Sequence, residues 1–334
     1  RRCRLRPGAG AVTSAAPAPA AQAAVGPKDR PAWSAGLLIA ALLVLSVQDA
    51  LIKHLSDAVS LWQFQLLRSV MNLGLLALAG ALVLSARATW PLSMRAVALR
   101  SVVLTTTMCL FFAGIPFLTL SEIAAGLYCF PLFVTLMNLF LPGEHVGWRR
   151  LSAVAVGFAG TLLVLKPGTE SFEWVALLPL GAAVCYAANV LITRRLCRQE
   201  HPATLALGVV VAFIVLSLPM VVIMPLAAPP GLAAAWPYVF GGWQEMGLVL
   251  LGLIFVCALM NLGANVALSF AYQNAESSWL APFDYVYLVF AAVVGGVVFG
   301  DWPDGFAILG MALIAGAGVF IALREGRSYP AKRV

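Results

Sequence analysis

The stretch SAGLLIAALLVLSVQDALIKH, residues 34–54, decides the fold class of this chain. It is almost entirely apolar over about 20 residues, the length that an α-helix needs to cross the hydrocarbon core of a bilayer. The rest of the sequence has the same character, since 62% of the 334 residues are hydrophobic and 10% are charged. Soluble domains contain about 25% charged residues, so this composition indicates an integral membrane protein.

Nine further apolar stretches of similar length follow the first one. The predicted fold class is therefore an all-α integral membrane protein with ten transmembrane helices, whose solvent is the lipid bilayer. The ten spans lie near residues 34–54, 61–84, 97–117, 121–141, 149–166, 174–194, 203–225, 246–270, 279–299 and 305–323.

Both ends of the chain are polar. Residues 1–32 are rich in Ala, Pro and Arg, and we expect a disordered cytoplasmic tail there. An Arg-rich leader with few acidic residues is also typical of transit peptides, and the sequence leaves open whether these residues belong to the native start. The Pro and Gly content argues against an amphipathic helix and favours the tail. Residues 326–334 are predicted to form a cytoplasmic C-terminal tail.

The distribution of basic residues predicts the orientation of the spans. Cytoplasmic loops of membrane proteins have an excess of Lys and Arg. With both termini in the cytoplasm, 18 of the 21 Lys and Arg residues lie in the tails or in the loops around Arg95, Arg149 and Arg195. The net charge of +7 therefore reflects membrane orientation, and no nucleic-acid partner is predicted. We expect the protein in a bacterial inner membrane.

The chain repeats itself after five spans. Because five is odd, the second half crosses the membrane in the opposite orientation to the first. Inverted repeats are a recurring carrier architecture in which the substrate binds near the midplane, between the halves. We predict a first repeat at 33–168 and a second at 174–325. The aligned segments are 48–53 with 188–193, 143–144 with 300–301, and 160–164 with 318–322.

Short motifs occur in matching order in the two halves. They are PLFVT (131–135), GE (143–144), GFAG (157–160) and KPG (166–168), then APFDY (281–285), GDWPD (300–304) and GMALI (310–314). This order and spacing resemble the drug/metabolite transporter superfamily, specifically carriers built from two EamA-type repeats. Asp301 replaces the Glu that is usual in the second repeat. The Pro-Phe-Asp-Tyr segment resembles the branch of S-adenosylmethionine uptake carriers.

The resemblance implies a secondary carrier that moves a small metabolite by alternating access without ATP hydrolysis. The central cavity is expected between the first, third, fourth, sixth, eighth and ninth spans. The resemblance fixes neither substrate nor direction, so an exporter of drugs or other metabolites with the same fold is an alternative. A proton or a counter-substrate is a further candidate partner, and the oligomeric state is left open.

A membrane-embedded enzyme is the alternative from a different class. Such an enzyme needs a nucleophile, a catalytic pair or a metal cluster. The chain has no HExxH, GxSxG or CxxC sequence, and its three histidines lie near predicted loops. A scaffold or receptor would not need charged residues inside several spans. We therefore predict no catalytic residue, no metal site and no cofactor.

Polar residues inside the spans are the candidate substrate-binding residues. A charge at the centre of a span costs roughly 2.5–3.5 kcal/mol on insertion scales, so such residues face a cavity or a partner. Asp49 and Arg68 lie at similar depths and have an alternative role as an ion pair between the first two spans. For the asparagines the alternative is hydrogen bonding between helices. The candidates are Asp284, Tyr285, Asn189, Asn261, Asp49, Arg68 and Tyr128.

Asp284 is the strongest of these candidates, because it is ionisable in an apolar span and follows Pro282. A carboxylate there favours a zwitterionic or cationic substrate such as an amino-acid derivative, S-adenosylmethionine included.

Two prolines inside spans are the candidate hinges. Pro131 lies near the centre of the fourth span and Pro282 at the start of the ninth. A proline frees backbone carbonyls near the midplane, where they can bind substrate or permit bending. Gly157 and Gly160, and in the last span Gly310, Gly316 and Gly318, have spacings that predict close helix packing.

Overall fold

A computed structural model describes residues 31–83, 91–140, 147–167, 174–275 and 277–328 of the chain. The regular structure of these residues is entirely helical. The helices are α1 (Pro31–Leu55), α2 (Leu61–Val83), α3 (Met94–Ala113), α4 (Leu120–Leu127), α5 (Phe130–Leu139), α6 (Trp148–Leu165), α7 (Leu177–Leu196), α8 (Pro202–Ala227), α9 (Pro230–Ala235), α10 (Pro237–Phe240), α11 (Leu248–Asn274), α12 (Ser277–Asp284), α13 (Val286–Phe299) and α14 (Gly305–Ser328).

The two predicted tails lie mostly outside these ranges. Residues 1–30 and 329–334 lie outside the described residues, as do Gly143 and Glu144 of the repeat motif. Helix α1 begins at Pro31, within the range predicted for the N-terminal tail. Helix α14 continues to Ser328, within the range predicted for the C-terminal tail.

Eight helical segments in the described residues are long and apolar enough to cross a bilayer. Many of their large apolar side chains face outward, as in Leu226 (81% exposed) and Val297 (71% exposed), which suits a surface in contact with lipid. The chain is therefore a multi-pass integral membrane protein, as the composition predicted. The eight are Ala32–Leu55, Met94–Ala113, Leu120–Leu139, Trp174–Leu196, Pro202–Ala227, Leu248–Asn274, Pro282–Phe299 and Gly305–Leu323.

The other two predicted spans are α2 and α6. The apolar part of α6, Leu151–Leu165, is shorter than the eight segments above. The buried face of α2 is polar, because Gln63 and Gln65 are 0% exposed and Arg68 is 4% exposed. The total of ten spans, the inverted repeat and the position of the termini stay predictions.

Local sequence explains where several helices begin and end. Helix α4 begins with a capping box. The hydroxyl oxygen of Thr119 accepts a hydrogen bond from the backbone N–H of Glu122, and the Glu122 carboxylate accepts one from the backbone N–H of Thr119. Helix α13 ends at Gly300, whose φ of +77° is readily adopted only by glycine. Asp304 caps α14 by accepting the amide of Ala307 at 2.9 Å.

The fourth and ninth predicted spans are each broken into two helices. The break in the fourth lies at Tyr128 and Cys129, just before Pro131, and separates α4 from α5. Because Pro131 has no amide hydrogen and restricts the preceding residue, a helix interruption at this point is expected. The break in the ninth lies at Tyr285, between α12 and α13, with Pro282 inside α12. Both breaks therefore leave a tyrosine at the interruption.

Helix packing is reciprocal between the two halves of the chain. Helix α1 packs against α11 and α13, and its counterpart α7 packs against α3 and α5. Helix α3 packs against α8, as α11 does against α2. Two pairs of helices that correspond in the predicted repeat also contact each other directly. Helix α2 packs against α8, and α6 packs against α14. The interface between the halves is thus built from helices that the predicted repeat would make equivalent.

Glycines permit the closest of these contacts. The predicted close packing is present at Gly157, Gly160, Gly310 and Gly318, but the prediction is wrong for Gly316, which has open space around its Cβ position. A Cβ at Gly160 would lie 2.6 Å from the carbonyl oxygen of Gly310, and a Cβ at Gly310 would lie 2.4 Å from that of Gly160. A Cβ at Gly157 would lie 2.6 Å from a methyl carbon of Leu132. Helices α6 and α14 therefore approach to backbone contact where each has a glycine.

Candidate functional site

A cavity of about 300 Å³ lies between the two halves of the bundle. Its wall combines aromatic and aliphatic side chains with two carboxylates and three side-chain amides. This composition matches the usual pattern of small-molecule sites, which are mostly apolar with a few polar groups. The lining residues are Leu42, Leu45, Gln48, Asp49, Met108, Phe111, Phe112, Leu127, Tyr128, Phe130, Tyr186, Asn261, Asn265, Leu268, Tyr272, Asp284 and Tyr287.

Aromatic rings form a continuous part of this wall. Tyr128 stacks on Tyr287, with ring centroids 5.2 Å apart and an angle of 10° between planes. Tyr128 also meets Tyr285 edge-to-face at 5.7 Å and Phe130 at 6.4 Å, and Phe130 meets Tyr186 at 4.7 Å. These geometries are the favourable ones for aromatic pairs. Residues at both helix breaks thus join one aromatic cluster.

Each carboxylate in the cavity accepts a hydrogen bond from a tyrosine. The hydroxyl group of Tyr287 donates to Oδ2 of Asp49, which is 7% exposed. The hydroxyl group of Tyr272 donates to Oδ2 of Asp284. A tyrosine hydroxyl stabilises a carboxylate without neutralising its charge, so both carboxylates can still attract a cation, a proton or a hydrogen-bond donor.

Four of the predicted candidates line the cavity: Asp49, Tyr128, Asn261 and Asp284. Tyr285 stands behind Tyr128 and packs against Gly318, where a Cβ would lie 1.6 Å from the Tyr285 hydroxyl. The other two candidates, Asn189 and Arg68, are outside the lining set.

Asn189 and Arg68 are both buried in the protein interior. Asn189 is 5% exposed, and its side-chain oxygen has no hydrogen-bond partner among the described residues. Arg68 lies over the rings of Phe64, Phe112 and Phe213, with its guanidinium carbon 5.1–5.8 Å from the ring centroids.

The predicted ion pair between Asp49 and Arg68 is not formed. The ion pairs between described residues include Lys53 with Asp301 and Lys166 with Asp304, and none joins Asp49 to Arg68. Matched depth along two helices does not determine their rotation, and here the Asp49 carboxylate bonds to Tyr287 instead. Asp49 and Arg68 therefore interact electrostatically without direct contact.

Two functional candidates, Tyr272 and Tyr287, were missed in the sequence. Their signal is a tyrosine inside an apolar span, because a buried phenol hydroxyl usually requires a hydrogen-bond partner. The segment Asp284-Tyr285-Val286-Tyr287 contains two such tyrosines, Tyr285 and Tyr287. Which carboxylate each hydroxyl bonds could not be read from the sequence.

One end of the bundle is closed beyond Asp49. Lys53, one turn further along α1, donates to the backbone carbonyl of Leu118 at 2.9 Å and pairs with Asp301 at 3.0 Å. The Lys53 ammonium also lies 4.9 Å from the ring centroid of Phe299. These contacts join α1 to the α3–α4 and α13–α14 connections. On the predicted topology this is the outer end.

The fold and the cavity show which class of protein this is. It is a multi-pass all-α membrane protein with a cavity lined by polar and aromatic residues between its two halves. The chain matches no family model. It is similar to a protein named riboflavin transporter from Rhizobium johnstonii, with 30% identity over 215 residues, which cover 64% of this chain and 66% of that protein. A riboflavin transporter of Vibrio cholerae serotype O1 is 32% identical over 196 residues, 58% of this chain and 60% of the relative.

A third relative is named for a different metabolite. The S-adenosylmethionine uptake transporter of Rickettsia prowazekii is 25% identical over 205 residues, 61% of this chain and 64% of that protein. The match thus spans less than two thirds of each of these three relatives. A solved crystal structure with 18% identity superposes with a TM-score of 0.58 over 88% of this chain and 99% of that one, a likeness of fold. The named relatives are membrane transporters of small metabolites.

Proposed function

We propose that this protein is a secondary carrier that moves a small metabolite with a planar heteroaromatic ring across the membrane by alternating access. The observation that carries the proposal is the cavity of about 300 Å³ between the halves, with stacked tyrosines and two carboxylates in its wall. Relatives named for riboflavin and for S-adenosylmethionine support it, because a flavin and an adenine ring both present a flat π surface to such a wall.

The helix packing supports the carrier architecture of this proposal. Reciprocal contacts, and the direct pairs α2 with α8 and α6 with α14, are what two inverted five-helix repeats would produce. The proposal therefore includes ten spans, EamA-type repeats, both termini in the cytoplasm and a bacterial inner membrane.

Riboflavin and S-adenosylmethionine make different demands on the cavity. Riboflavin is uncharged and would use the rings and hydrogen bonds to Asn261 and the carboxylates. S-adenosylmethionine has a cationic sulfonium and an ammonium group, which Asp49 and Asp284 would attract. We propose riboflavin as the first substrate to test, on the higher identity of those relatives, and a zwitterionic amino-acid derivative as the second.

The side chains that line the central cavity favour transport over catalysis. The cavity-lining residues that the structure describes include no Ser, Cys or His side chain that could act as a nucleophile or a histidine base. Both carboxylates accept hydrogen bonds from separate tyrosines on different helices. This arrangement suits recognition of a ligand and its release unchanged.

Uptake by the purified full chain in liposomes tests the proposal. We expect saturable uptake of riboflavin, of labelled S-adenosylmethionine, or of both. Tyr128→Leu should lower uptake up to about tenfold, since an aromatic contact contributes roughly 0.5–1.5 kcal/mol. Phe306→Leu is the matched control, because Phe306 lies in α14 with 64% of its surface exposed. Uptake of neither compound, or equal losses in the two variants, would contradict the proposal.

A further inference from the structure

Arg68 is a buried cation without an ion-pair partner among the described residues. Its side chain is 4% exposed, and Nε and Nη1 have no hydrogen-bond acceptor. Three phenylalanine rings, from α2, α3 and α8, face the guanidinium group. Cation–π contacts contribute roughly 0.5–2 kcal/mol each but accept no directed hydrogen bond, so Nε and Nη1 of Arg68 stay unsatisfied.

Two further donors beside Arg68 are unsatisfied as well. Gln65 is one turn earlier on the same face of α2, fully buried, and neither atom of its amide has a partner in the described residues. The hydroxyl group of Tyr238 is buried without a partner among the described residues. Tyr238 belongs to the same buried core cluster as Phe64 and Phe112, whose rings face the Arg68 guanidinium group. Leaving a buried donor unpaired costs roughly 1–3 kcal/mol, so a ligand that offered an acceptor to these three side chains would gain that free energy.

Arg68 lies near residues that line two separate spaces, the central cavity and a second depression. On one side lies Phe112, whose ring is 5.1 Å from the guanidinium carbon and lines the central cavity. On the other side lies Tyr238, which lines a separate depression of about 550 Å³. That depression also includes Asp57, Phe117 and Gln244, at the end of the bundle closed by Lys53.

We propose that Arg68, Gln65 and Tyr238 form an oxyanion site beside the central cavity, and that the transported compound carries a carboxylate or a phosphate group in addition to its planar ring. A guanidinium group binds either oxyanion through two parallel hydrogen bonds. The amide of Gln65 and the hydroxyl of Tyr238 supply further donors. The inference rests on the proposed transport function. It narrows the substrate class from metabolites with a planar ring, riboflavin included, to those that also carry an oxyanion, such as S-adenosylmethionine.

Asp49 does not fill this role in the described structure. It attracts Arg68 electrostatically, but its carboxylate accepts the Tyr287 hydroxyl and forms no ion pair with Arg68. The oxyanion of a substrate would therefore meet unoccupied donors. Its ring would remain free to contact the tyrosine stack.

Equilibrium binding to the purified full chain tests this site with two matched pairs of probes. One pair is riboflavin and riboflavin 5′-phosphate, and the other is S-adenosylmethionine and its decarboxylated form. We expect the member that carries the phosphate or carboxylate group to bind about tenfold more tightly or better in at least one pair, as expected for a charge-assisted hydrogen bond. A preference in the first pair identifies phosphate, and a preference in the second identifies carboxylate.

Arg68→Met should reduce this preference to about one. The matched control is Arg100→Met, because Arg100 is also partly buried but donates to the carbonyl of Leu205, away from the cavity lining. If Arg68→Met does not fold, three milder variants replace it. Arg68→Lys keeps the charge and loses the planar guanidinium group. Gln65→Leu and Tyr238→Phe each remove an uncharged donor. Each should lower the preference by about two- to fivefold.

The two proposals fail in distinguishable ways. Binding of neither member of either pair overturns the transport function and the oxyanion site with it. Equal binding of both members by the unaltered chain, or an unchanged preference in Arg68→Met, overturns the oxyanion site alone.

Discussion

The ammonium group of Lys53 and the carboxylate of Asp301, 248 residues apart in the chain, form an ion pair of 3.0 Å across the two halves of the bundle. Their side chains are 15% and 30% exposed, so the pair is partly shielded from solvent. It lies one helical turn from Asp49, between the cavity and the nearer end of the bundle. Any opening of the cavity towards this end requires that these two groups separate.

We predict that Lys53→Met favours the state open at this end. Loss of a partly buried pair costs on the order of 1 kcal/mol, which corresponds to about a fivefold change in population. The rate at which a membrane-impermeant maleimide labels a cysteine introduced at Leu45, in a background without the native cysteines, measures the change. The double exchange Lys53→Asp with Asp301→Lys should restore the slow rate.

Lys166→Met is the control for this experiment. Lys166 pairs with Asp304 at 2.6 Å, but the two side chains are 34% and 48% exposed. Exposed pairs contribute little, so labelling should stay within about twofold. Unchanged labelling in Lys53→Met would show that the pair does not restrain opening.

Gly310→Ala should destabilise the protein through the contact between α6 and α14. The added Cβ would lie 2.4 Å from the Gly160 carbonyl oxygen, and backbone cannot yield as a side chain does. Overpacking of this kind costs roughly 1–3 kcal/mol. Gly316→Ala, in the same helix with open space around its Cβ position, should be neutral or stabilising. Thermal unfolding in detergent compares the two variants, and equal melting temperatures would contradict the close approach.

Asp284→Asn should preserve folding and abolish transport or its pH dependence. The amide can still accept the hydrogen bond from Tyr272, so the local structure remains, while the negative charge in the cavity is lost. Expression, thermal stability and uptake should be measured side by side. Tyr272→Phe removes the hydroxyl and keeps the charge, and should retain transport with altered affinity. Normal uptake with an unchanged pH profile in Asp284→Asn would make Asp284 a structural residue.

Asp304 should make the stability depend on acidic pH. The hydrogen bond from Lys166 and that from the Ala307 amide lower the pKa of Asp304 below its usual 3.8. Its stabilising effect is therefore present above pH 3.8 and is lost as the pH falls through the lower folded-state value. Lys166→Met should reduce the fall in melting temperature between about pH 5 and pH 3. An identical pH profile in this variant would show that Lys166 does not stabilise the Asp304 carboxylate.

The loops around Arg95, Arg149 and Arg195 should all face the cytoplasm. The excess of basic residues on one side of the ten predicted spans is the reason. Single cysteines introduced into these loops should react with an impermeant reagent only after the membrane is opened. Labelling of the 194–202 loop from the periplasmic side of intact cells would reverse the predicted orientation.

The sequence was most informative where hydropathy alone decides the outcome. Long apolar stretches predicted a multi-pass helical protein, and polar residues within them predicted Asp49, Asn261 and Asp284, which line one cavity. Pro131 marked the interruption between α4 and α5, because proline restricts the backbone locally. Glycine spacing in α6 and α14 predicted close helix packing, but it did not predict that the two helices would pack against each other.

The pairing of side chains between helices could not be predicted in the same way. In a membrane both the lipid-facing and the core-facing sides of a helix are apolar, so hydropathy does not determine helix rotation. Arg68 was therefore assigned to Asp49, whereas the structure turns it towards Phe64, Phe112 and Phe213. The contact of Lys53 with Asp301 depends on the same rotations.

The polar face of α2 also constrains how the protein is made. Gln63, Gln65 and Arg68 would be unfavourable in lipid before the rest of the chain is present. In the folded protein Arg68 contacts the ring of Phe213 in α8, and the side chain of Gln63 forms hydrogen bonds with the backbone of Gln244. Both partners are synthesised after α2. Helix α2 thus reaches its final environment only when the second half of the chain is inserted. The first predicted repeat made alone would therefore lack these partners for the polar face of α2.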